Sequence, residues 1–452
     1  MASSDIQTEM SEVYRSVWRW HFYAGVLVAP FLMLMALTGA LYLFKGEIDG
    51  VAYASLSRVE ARATSVSPDR WVAAAEAHTG GEVTEIRLPN RPDEAARLGV
   101  TQSDGERRTV FVDPQDGRVT GVTGYGGVME TVKRLHSLAL VGPWANYLIE
   151  IVAGWAIILV ATGLFLWWPR GRGLAVLAPK ASSPRRRPFW RDLHAVAGFY
   201  AAAVVAFLVV TGMPWSAFWG DQFLGYVKAQ GLGRPAPPAA EQAFAHAEHG
   251  DAPAGVGWTM EGMVMPGHET GSRNLAAVVA AADRAGLQKP YIVSIPATEG
   301  TAVTAASEVE QVEDTRILYI DGVTGRVRAD IGYAAFGRGA KAFEWGIAVH
   351  QGTQYGWLNR YLMLGGCIAI WVLSISGIVM WWKRRPPKLY ARRIGAPIAP
   401  PGVRARAAVL GIVLPLAILY PMTGLSLVVA LLVDRLAQAL VQTGRVRGRH
   451  VS

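Results

Sequence analysis

The chain has 452 residues, of which 51% are apolar and only 17% charged, and it contains 16 tryptophans. This balance is typical of a membrane protein and excludes an ordinary soluble domain. The net charge of +9 does not predict a nucleic-acid partner, because lysine and arginine cluster beside the apolar runs. The single cysteine, Cys367, lies inside such a run and excludes an intramolecular disulfide and a cysteine-based metal site.

Five apolar runs are long enough to cross a hydrocarbon core of ~30 Å as helices. They cover roughly 22–44, 144–168, 195–217, 358–382 and 407–433. The first is too long for the core of a signal peptide, which predicts an uncleaved first span. The last contains Pro415 and Pro421, which leave room for a kink or a re-entrant hairpin instead of a single pass.

The basic residues predict the orientation, because cytoplasmic loops are enriched in lysine and arginine. They are concentrated after the second and fourth spans, at Arg170, Arg172, Lys180, Arg185, Arg186, Arg187 and Arg191, and at Lys383, Arg384, Arg385, Lys388, Arg392 and Arg393. We therefore expect a bacterial inner-membrane protein with a cytoplasmic N-terminus and two large periplasmic segments. The basic tail, with Arg445, Arg447 and Arg449, favours a cytoplasmic C-terminus, against a fifth span that ends outside.

The two halves of the chain repeat one another, which is typical of duplicated membrane folds. At an offset of 173, the recurring residues are His21, Ala24, Gly25, Thr38 and Gly39, matched by His194, Ala197, Gly198, Thr211 and Gly212. At an offset of 214, they are His136, Gly142, Tyr147, Leu148, Gly163, Trp167 and Trp168, matched by His350, Gly356, Tyr361, Leu362, Gly377, Trp381 and Trp382. Both units have the same direction, which predicts a parallel repeat with a pseudo-twofold axis along the membrane normal.

The periplasmic segments repeat as well. Each has an amphipathic helical stretch, at about 68–79 and 274–286, followed by alternating strand-like runs. Each then reaches an acidic turn, 113–119 or 321–327, whose Asp and Gly residues between apolar runs are typical of a hairpin. We expect one small α+β module in each segment.

These features predict a polytopic α-helical membrane protein built from duplicated two-span units plus a fifth span. The predicted segments in chain order are the N-terminus and first span 1–44, the first module 45–135, the second span 136–168, a cytoplasmic loop 169–193, the third span 194–217, the second module with an insertion 218–349, the fourth span 350–382, a cytoplasmic loop 383–406, the fifth span 407–433 and the basic tail 434–452.

The sequence resembles the PepSY-associated transmembrane family over nearly its whole length. The resemblance rests on Trp20-His21 with Gly25, on Leu-Thr-Gly at 37–39, on the two modules with their Asp-x-x-x-Gly-Arg-Val turns, and on the Trp-Trp pairs followed by basic residues. The family includes FoxB-like ferric-siderophore reductases and other iron-regulated membrane proteins. The resemblance therefore implies two PepSY-like periplasmic modules and a function in iron chemistry.

Four of the nine histidines lie at membrane edges and repeat between the halves. His21 and His194 begin the first and third spans, and His136 and His350 precede the second and fourth. A b-type haem needs two axial imidazoles across an apolar slot between helices, which two helices related by a pseudo-twofold axis supply. We therefore expect two haems, one for each pair. The alternatives are histidines that anchor helix ends at the interface, or a Zn or Cu site.

The expected irons lie at opposite edges of the membrane, separated by about the ~30 Å thickness of the core. Trp155 or Trp371 could lie between them. Every span also contains a Ser/Thr-Gly pair, at 38–39, 162–163, 211–212, 376–377 and 423–424. Helix packing explains these pairs, and clearance for haem is the alternative for the first four.

Three further groups of residues are candidates for function. Arg360 could bind haem propionates or pair with Glu150, because ionisable groups near the ends of spans are usually functional. A His/Met cluster in the second module could bind a soft metal such as Cu(I), although the neighbouring 235–256 is Ala/Pro-rich. Its members are His246, His249, Met260, Met263, Met265 and His268. No glycine pattern predicts a flavin, nicotinamide or nucleotide site.

The resemblance favours an oxidoreductase that passes electrons outward through haem to a ferric siderophore in the periplasm and releases Fe(II). His136 and His350 would then hold the exit haem, and the two modules would form the docking cleft. The alternatives are a membrane-anchored PepSY protein that binds a partner without redox activity, and a di-haem carrier that serves another acceptor. The electron donor would be a quinol or a cytoplasmic flavoprotein.

Overall fold

The computed structural model describes residues 2–62, 64–168, 177–178, 183–234, 273–296, 302–384, 411 and 413–433. The chain divides into two compact units. The first, here the membrane unit, comprises Met1–Ala40, Leu135–Phe223 and Tyr361–Ser452, and the second, here the sheet unit, comprises Leu41–Arg134 and Leu224–Arg360.

The described elements follow one another in two similar series. The first half contains α1 Ala2–Tyr42, α2 Lys45–Ala52, α3 Ala54–Ser57, α4 Pro68–Thr79, β1 Glu82–Arg87, β2 Ala96–Thr101, β3 Arg107–Val112, β4 Val119–Gly124, α5 Gly127–His136 and α6 Ala145–Trp167. The second half contains α7 Arg187–Gly212, α8 Ala217–Ala229, α9 Leu275–Arg284, β5 Tyr291–Ser294, β6 Val303–Ser307, β7 Arg316–Ile320, β8 Val327–Gly332, α10 Arg338–His350 and α11 Gly356–Trp382.

Four helices of the described chain are long and apolar enough to cross a membrane. They are Glu12–Tyr42 within α1, Ala145–Trp167, Arg187–Trp215 and Gly356–Trp382. A helix satisfies its backbone hydrogen bonds internally, so these apolar sequences fold as helices in lipid. They match the first four predicted spans, and the chain is a membrane protein.

The fifth predicted span is not confirmed. Residues 413–419 are helical, a bend follows at Tyr420, and a second helix runs from Pro421 to Val433. Pro421 lacks an N–H and breaks the helical ladder. A Cβ on Gly424 would lie 2.7 Å from the carbonyl oxygen of Ala417. Seven residues span ~10 Å in a straight helix, so the segment is sharply bent at the position where proline predicts a kink or hairpin.

The bent segment packs inside the membrane unit against α1 and α6. The shared apolar cluster contains Val17, Ala24, Val28, Val152, Trp155, Ile158, Val413, Ala417 and Leu427. A Cβ on Gly154 of α6 would lie only 1.8 Å from Thr423 Oγ1, so glycine is required for this close approach. Trp155 donates a 2.9 Å hydrogen bond from Nε1 to Ser426 Oγ.

The sheet unit contains one antiparallel sheet of eight strands, in the order β4-β3-β2-β1-β5-β6-β7-β8. The two predicted modules are therefore the two halves of a single sheet. They join where β1 pairs with β5, with Glu85 opposite Ser294 and Ile86 opposite Val293. The helices α4 and α9, which match the predicted helical stretches, contribute to the buried core on one face of this sheet.

The two acidic turns have the same hydrogen bonds. The N–H of Asp113 donates to the carbonyl five residues later at 2.8 Å, and the N–H of Gly117 donates back to Asp113 at 2.9 Å. Asp321 and Gly325 repeat this pattern at 2.8 and 2.9 Å. Both glycines have φ in the left-handed region, 77° and 71°, where a side chain is strained. The turns connect β3 to β4 and β7 to β8, as the sequence predicts.

A buried carboxyl, Glu85, lies in β1 beside the junction of the two halves. Its Oε2 accepts a 3.0 Å hydrogen bond from the hydroxyl of Tyr125, and Arg107 Nη2 is 4.0 Å away. Burial raises the pKa of Glu85 to about 7, and the charge of Glu308 raises it too, although the Tyr125 hydrogen bond, Arg107 and Arg87 oppose the rise. Glu85 therefore binds a proton more tightly in the folded chain than in the unfolded one.

This preference makes the stability of the sheet unit depend on pH. The contribution of Glu85 is fully present below the unfolded pKa of 4.5 and is lost as the pH rises through the folded pKa of about 7. The loss amounts to about 3 kcal/mol of the free energy of unfolding at most. The backbone amides of β1 and β2 should therefore exchange more slowly in Glu85→Gln than in the wild type at pH 8, but not at pH 5. Hydrogen exchange, corrected for intrinsic rates, measures this protection.

The exposed Glu82 begins the same strand and provides the control, because Glu82→Gln should leave the pH profile unchanged. Equal protection of the wild type and the Glu85→Gln variant at pH 8 would contradict the prediction.

Candidate site: paired histidines in the membrane unit

His21 of α1 and His194 of α7 lie together in the membrane unit. Their ring centroids are 6.3 Å apart, and their planes are nearly perpendicular, at 87°. Imidazole nitrogens bind metal ions at about 2.0 Å, so two rings on opposite sides of one metal have centroids about 6 Å apart. The separation of the pair is therefore that of two ligands on one metal, and their role as axial haem ligands stays a prediction.

Hydroxyl groups determine which ring nitrogen of each histidine carries the proton. Thr162 Oγ1 lies 2.9 Å from His21 Nδ1 and donates its own hydrogen to the carbonyl of Ile158 at 2.6 Å. Ser376 Oγ lies 2.9 Å from His194 Nδ1 and likewise donates to the carbonyl of Val372 at 2.6 Å. A hydroxyl has one hydrogen to donate, so each must accept from Nδ1–H. Nε2 then carries the lone pair and is the nitrogen able to bind a metal.

Glycines beside these hydroxyls make room for the imidazole rings. A Cβ on Gly163 would lie 3.3 Å from His21 Cε1, and one on Gly377 would lie 3.7 Å from His194 Cε1. The pairs at 162–163 and 376–377 therefore each hold a histidine, with the hydroxyl orienting the ring and the glycine accommodating it. Sequence reasoning noticed these pairs but assigned them to helix packing or haem clearance, and it missed the hydrogen bond.

His136 repeats the arrangement at the other end of α1. Its Nδ1 lies 2.9 Å from Thr38 Oγ1, which donates to the carbonyl of Leu34 at 2.8 Å. A Cβ on the next residue, Gly39, would lie 3.5 Å from His136 Cε1. Nδ1 of His136 therefore carries the proton as well. Seventeen residues separate His21 from Thr38 in α1, so the two histidine sites are ~25 Å apart along the helix.

His350, the fourth predicted ligand, is the last residue of α10 in the sheet unit. Its pairing with His136 stays a prediction. In the described chain, no three His, Cys, Asp or Glu side chains come together as a metal site. Haem iron needs only two protein ligands, because its other four ligands belong to the porphyrin.

Arg360 and Glu150 have protein partners in separate units. Arg360 Nη1 forms a 2.5 Å ion pair with Glu47, and its guanidinium lies over the ring of Phe44. Glu150 is fully buried in α6, and its Oε2 accepts a 3.0 Å hydrogen bond from the backbone N–H of Trp219. Glu150 thus binds the start of α8, where the helix dipole favours a carboxylate. The assignment of Arg360 to propionates stays a prediction.

The remaining candidate, the His/Met cluster at 246–268, lies outside the described residues. The fifth Ser/Thr-Gly pair differs from those that hold histidines, because Thr423 packs against Gly154 and Gly424 packs against the carbonyl of Ala417. The aromatic ring of Trp155 stacks on Trp20, with centroids 6.5 Å apart and planes 9° apart.

Residues 18–384 match the family described as the PepSY-associated TM region. The chain belongs to the PepSY-associated transmembrane family. The match begins three residues before His21 and ends two residues after α11. It includes the four repeated histidines, the first long apolar helix from residue 18 onwards, the other three long apolar helices and the sheet unit. No curated protein matches the chain.

Proposed function

We propose that this protein is a haem-containing oxidoreductase of the bacterial inner membrane that reduces a ferric siderophore in the periplasm and releases Fe(II). One observation carries the proposal: His21 and His194 are opposed at 6.3 Å, and each is oriented by a hydroxyl that leaves Nε2 free for a metal. Family membership and the resemblance to FoxB-like reductases support the choice of substrate. Two haems of the b type are the favoured count.

The histidines would bind the haem irons in two pairs. His21 and His194 would ligate one haem through Nε2, and His136 and His350 would ligate the second. Bound haem supplies a one-electron carrier, which the side chains of this chain lack. The hydroxyl oxygens of Thr162 and Ser376 accept hydrogen bonds from Nδ1–H of His21 and His194. These hydrogen bonds make the imidazoles more electron-rich ligands.

The proposed direction of electron flow follows from the basic segments, which favour the cytoplasmic side for His21 and His194. The donor would be a quinol or a cytoplasmic flavoprotein. Electrons would leave at His136 and His350, on the side of the two modules. Trp155 lies seven residues before Thr162 in α6, ~10 Å towards the end of that helix near His136. Its ring stacks on Trp20, the residue before His21, so this aromatic pair lies beside the His21/His194 site.

The chemistry at the substrate requires no acid or base from the protein. Siderophores bind Fe(III) through hard oxygen ligands, and Fe(II) is a softer ion that such ligands hold less well. Transfer of one electron to the chelated Fe(III) therefore weakens the chelate, and Fe(II) is released. The protein has to position the chelate near the exit haem.

The absorption spectrum of the purified full-length protein tests this function. We expect a Soret band that sharpens on reduction with dithionite, two haems per chain by pyridine haemochrome, and oxidation of the reduced protein by a ferric siderophore with Fe(II) captured by a chelator. A folded protein without haem would contradict the proposal and favour a membrane-anchored PepSY protein that binds a partner. Haem that does not reduce a ferric chelate would favour an electron carrier for another acceptor.

The hydroxyl partners predict a separate, smaller effect. Thr162→Val keeps the side-chain volume but removes the acceptor for His21 Nδ1–H, so the imidazole becomes a poorer donor to iron. We expect a higher midpoint potential and about 10- to 100-fold weaker haem binding at the His21/His194 site, as for other second-shell changes. Redox titration followed by absorption measures the potential.

Thr38→Val provides the matched control because it removes the corresponding hydrogen bond of His136. It should change the other haem and leave the His21/His194 haem as in the wild type. Identical spectra and potentials in both variants would contradict the role of the hydroxyls.

A further inference from the structure

Arg384 lies beside the face of α1 that carries His21. Its guanidinium carbon is 4.6 Å from the ring centroid of Trp18 and 5.5 Å from that of Phe22. Residues three or four positions apart share a helix face, so Trp18, His21 and Phe22 lie on one side of α1. Arg384 therefore lies about one helical turn from a proposed haem ligand.

The guanidinium of Arg384 lacks an anionic partner among the described residues. Its Nη2 is buried and donates to no hydrogen-bond acceptor among the described residues. The aromatic rings of Trp18 and Phe22 attract the cation, but they do not replace the missing acceptor. Arg328 of the sheet unit differs in having a carboxylate partner, Asp321, although its Nε also lacks an acceptor.

A second arginine increases the local positive charge. Arg187 begins α7, two helical turns before His194, and is close enough for its charge to act on Arg384. Burial lowers the pKa of Arg384, and the charge of Arg187 lowers it further. Like charges brought together without a carboxylate repel one another, unless an anion lies between them.

The end of α11 is also held in place. Lys383 Nζ donates a 2.9 Å hydrogen bond to the carbonyl of Arg185, which joins the end of α11 to the residues before α7. The same two helices supply Ser376 and His194 to the histidine pair. The elements that would hold the iron therefore also determine the positions of Arg384 and Arg187.

We propose that Arg384, assisted by Arg187, binds the propionate carboxylates of the haem held by His21 and His194. This inference rests on the proposed function. A haem between α1 and α7 has two carboxylates that must leave the apolar slot, and a planar guanidinium is well suited to bind a carboxylate in a bidentate manner. The phosphate of a lipid headgroup has similar chemistry, so the experiment has to distinguish the two anions.

Arg384→Gln tests the proposal in the full-length protein, purified in a phosphate-free maltoside detergent and titrated spectroelectrochemically. Loss of the positive charge leaves the propionates uncompensated and stabilises ferric haem. We expect about a tenfold higher ratio of oxidised to reduced haem at the same ambient potential, equivalent to a lowering of the midpoint potential by ~59 mV for one electron. Arg384→Lys, which keeps the charge, should recover most of the wild-type potential.

Two controls make the result specific. Arg186→Gln removes the same charge from an exposed residue next to Arg187, whose side chain makes no capping hydrogen bond, and should leave the potential unchanged. In apoprotein reloaded with the dimethyl ester of haem, the wild type and Arg384→Gln should have the same potential, because the carboxylates are esterified.

An effect of Arg384→Gln that persists with the ester, or that appears only when phospholipid is added back, would overturn the proposal and assign Arg384 to another anion. Unchanged potentials in a haem-containing Arg384→Gln protein would overturn it as well. In each case the haem of the wild type remains, so the proposed function would be unaffected. Absence of haem from the wild type would instead remove the basis of both.

Discussion

His21→Ala should remove one haem from the protein and leave the other bound, and His194→Ala should do the same. The two ring centroids are 6.3 Å apart, so either substitution would remove one of the two proposed axial ligands. His136 is held by Thr38, about 17 residues further along α1, and its environment does not include either side chain. Haem content by pyridine haemochrome, together with the low-temperature absorption spectrum, measures the loss.

The exposed His78 in α4 supplies the control, since His78→Ala should retain both haems. Size-exclusion chromatography confirms that each variant is folded. If His21→Ala lost all haem while it remained folded, a single shared site would be the better description. If it kept both haems, His21 would not be an axial ligand.

Replacement of His136 and His350 together should stop ferric-chelate reduction but leave the His21/His194 haem reducible by its natural donor. In the proposed function, electrons leave on the side of the modules, and these two histidines would ligate the exit haem. The reduction rate of a ferric siderophore should therefore fall to the background rate of the membrane. Stopped-flow absorption separates reduction of the remaining haem from transfer to the chelate.

The double Thr38→Val and Thr211→Val variant provides a milder comparison, because it keeps all four histidines and removes hydroxyls from the corresponding Thr-Gly pairs. It should retain measurable reduction. The prediction is wrong if a His136→Ala/His350→Ala protein, shown to lack the exit haem, still reduces the ferric siderophore at the normal rate.

The candidate site was predictable from the sequence as far as residue identity, but not as far as hydrogen bonding. The repeat offset identified His21 and His194 as equivalent, and the structure brings them together. The hydroxyl partners were not predictable, because Thr162 follows His21 by 141 residues. Spacing along the chain does not show which helix lies opposite a given ring. The sequence shows a Ser/Thr-Gly pair in every predicted span, but it does not show which side chain each pair contacts.

The fold shows the same limit at larger scale. Local patterns predicted α4, α9, the acidic turns and four long helices, because caps, turns and apolar length depend on neighbouring residues. They did not predict that β1 pairs with β5, since an edge pairing depends on residues far apart in the chain. The prolines predicted a kink or hairpin as the alternative to a single fifth span. They did not predict that Gly424 packs against the carbonyl of Ala417.

The junction between β1 and β5 has a consequence for biosynthesis. Strands β1–β4 are translated well before β5, and about 200 residues separate the partners Glu85 and Ser294. Until β5 emerges, β1 exposes an unpaired edge, which is a template for incorrect strand pairing. Pairing across so long a stretch of chain is also slow to form. We therefore expect the nascent first half to need a chaperone, and chains truncated before Tyr291 to be degraded or to aggregate.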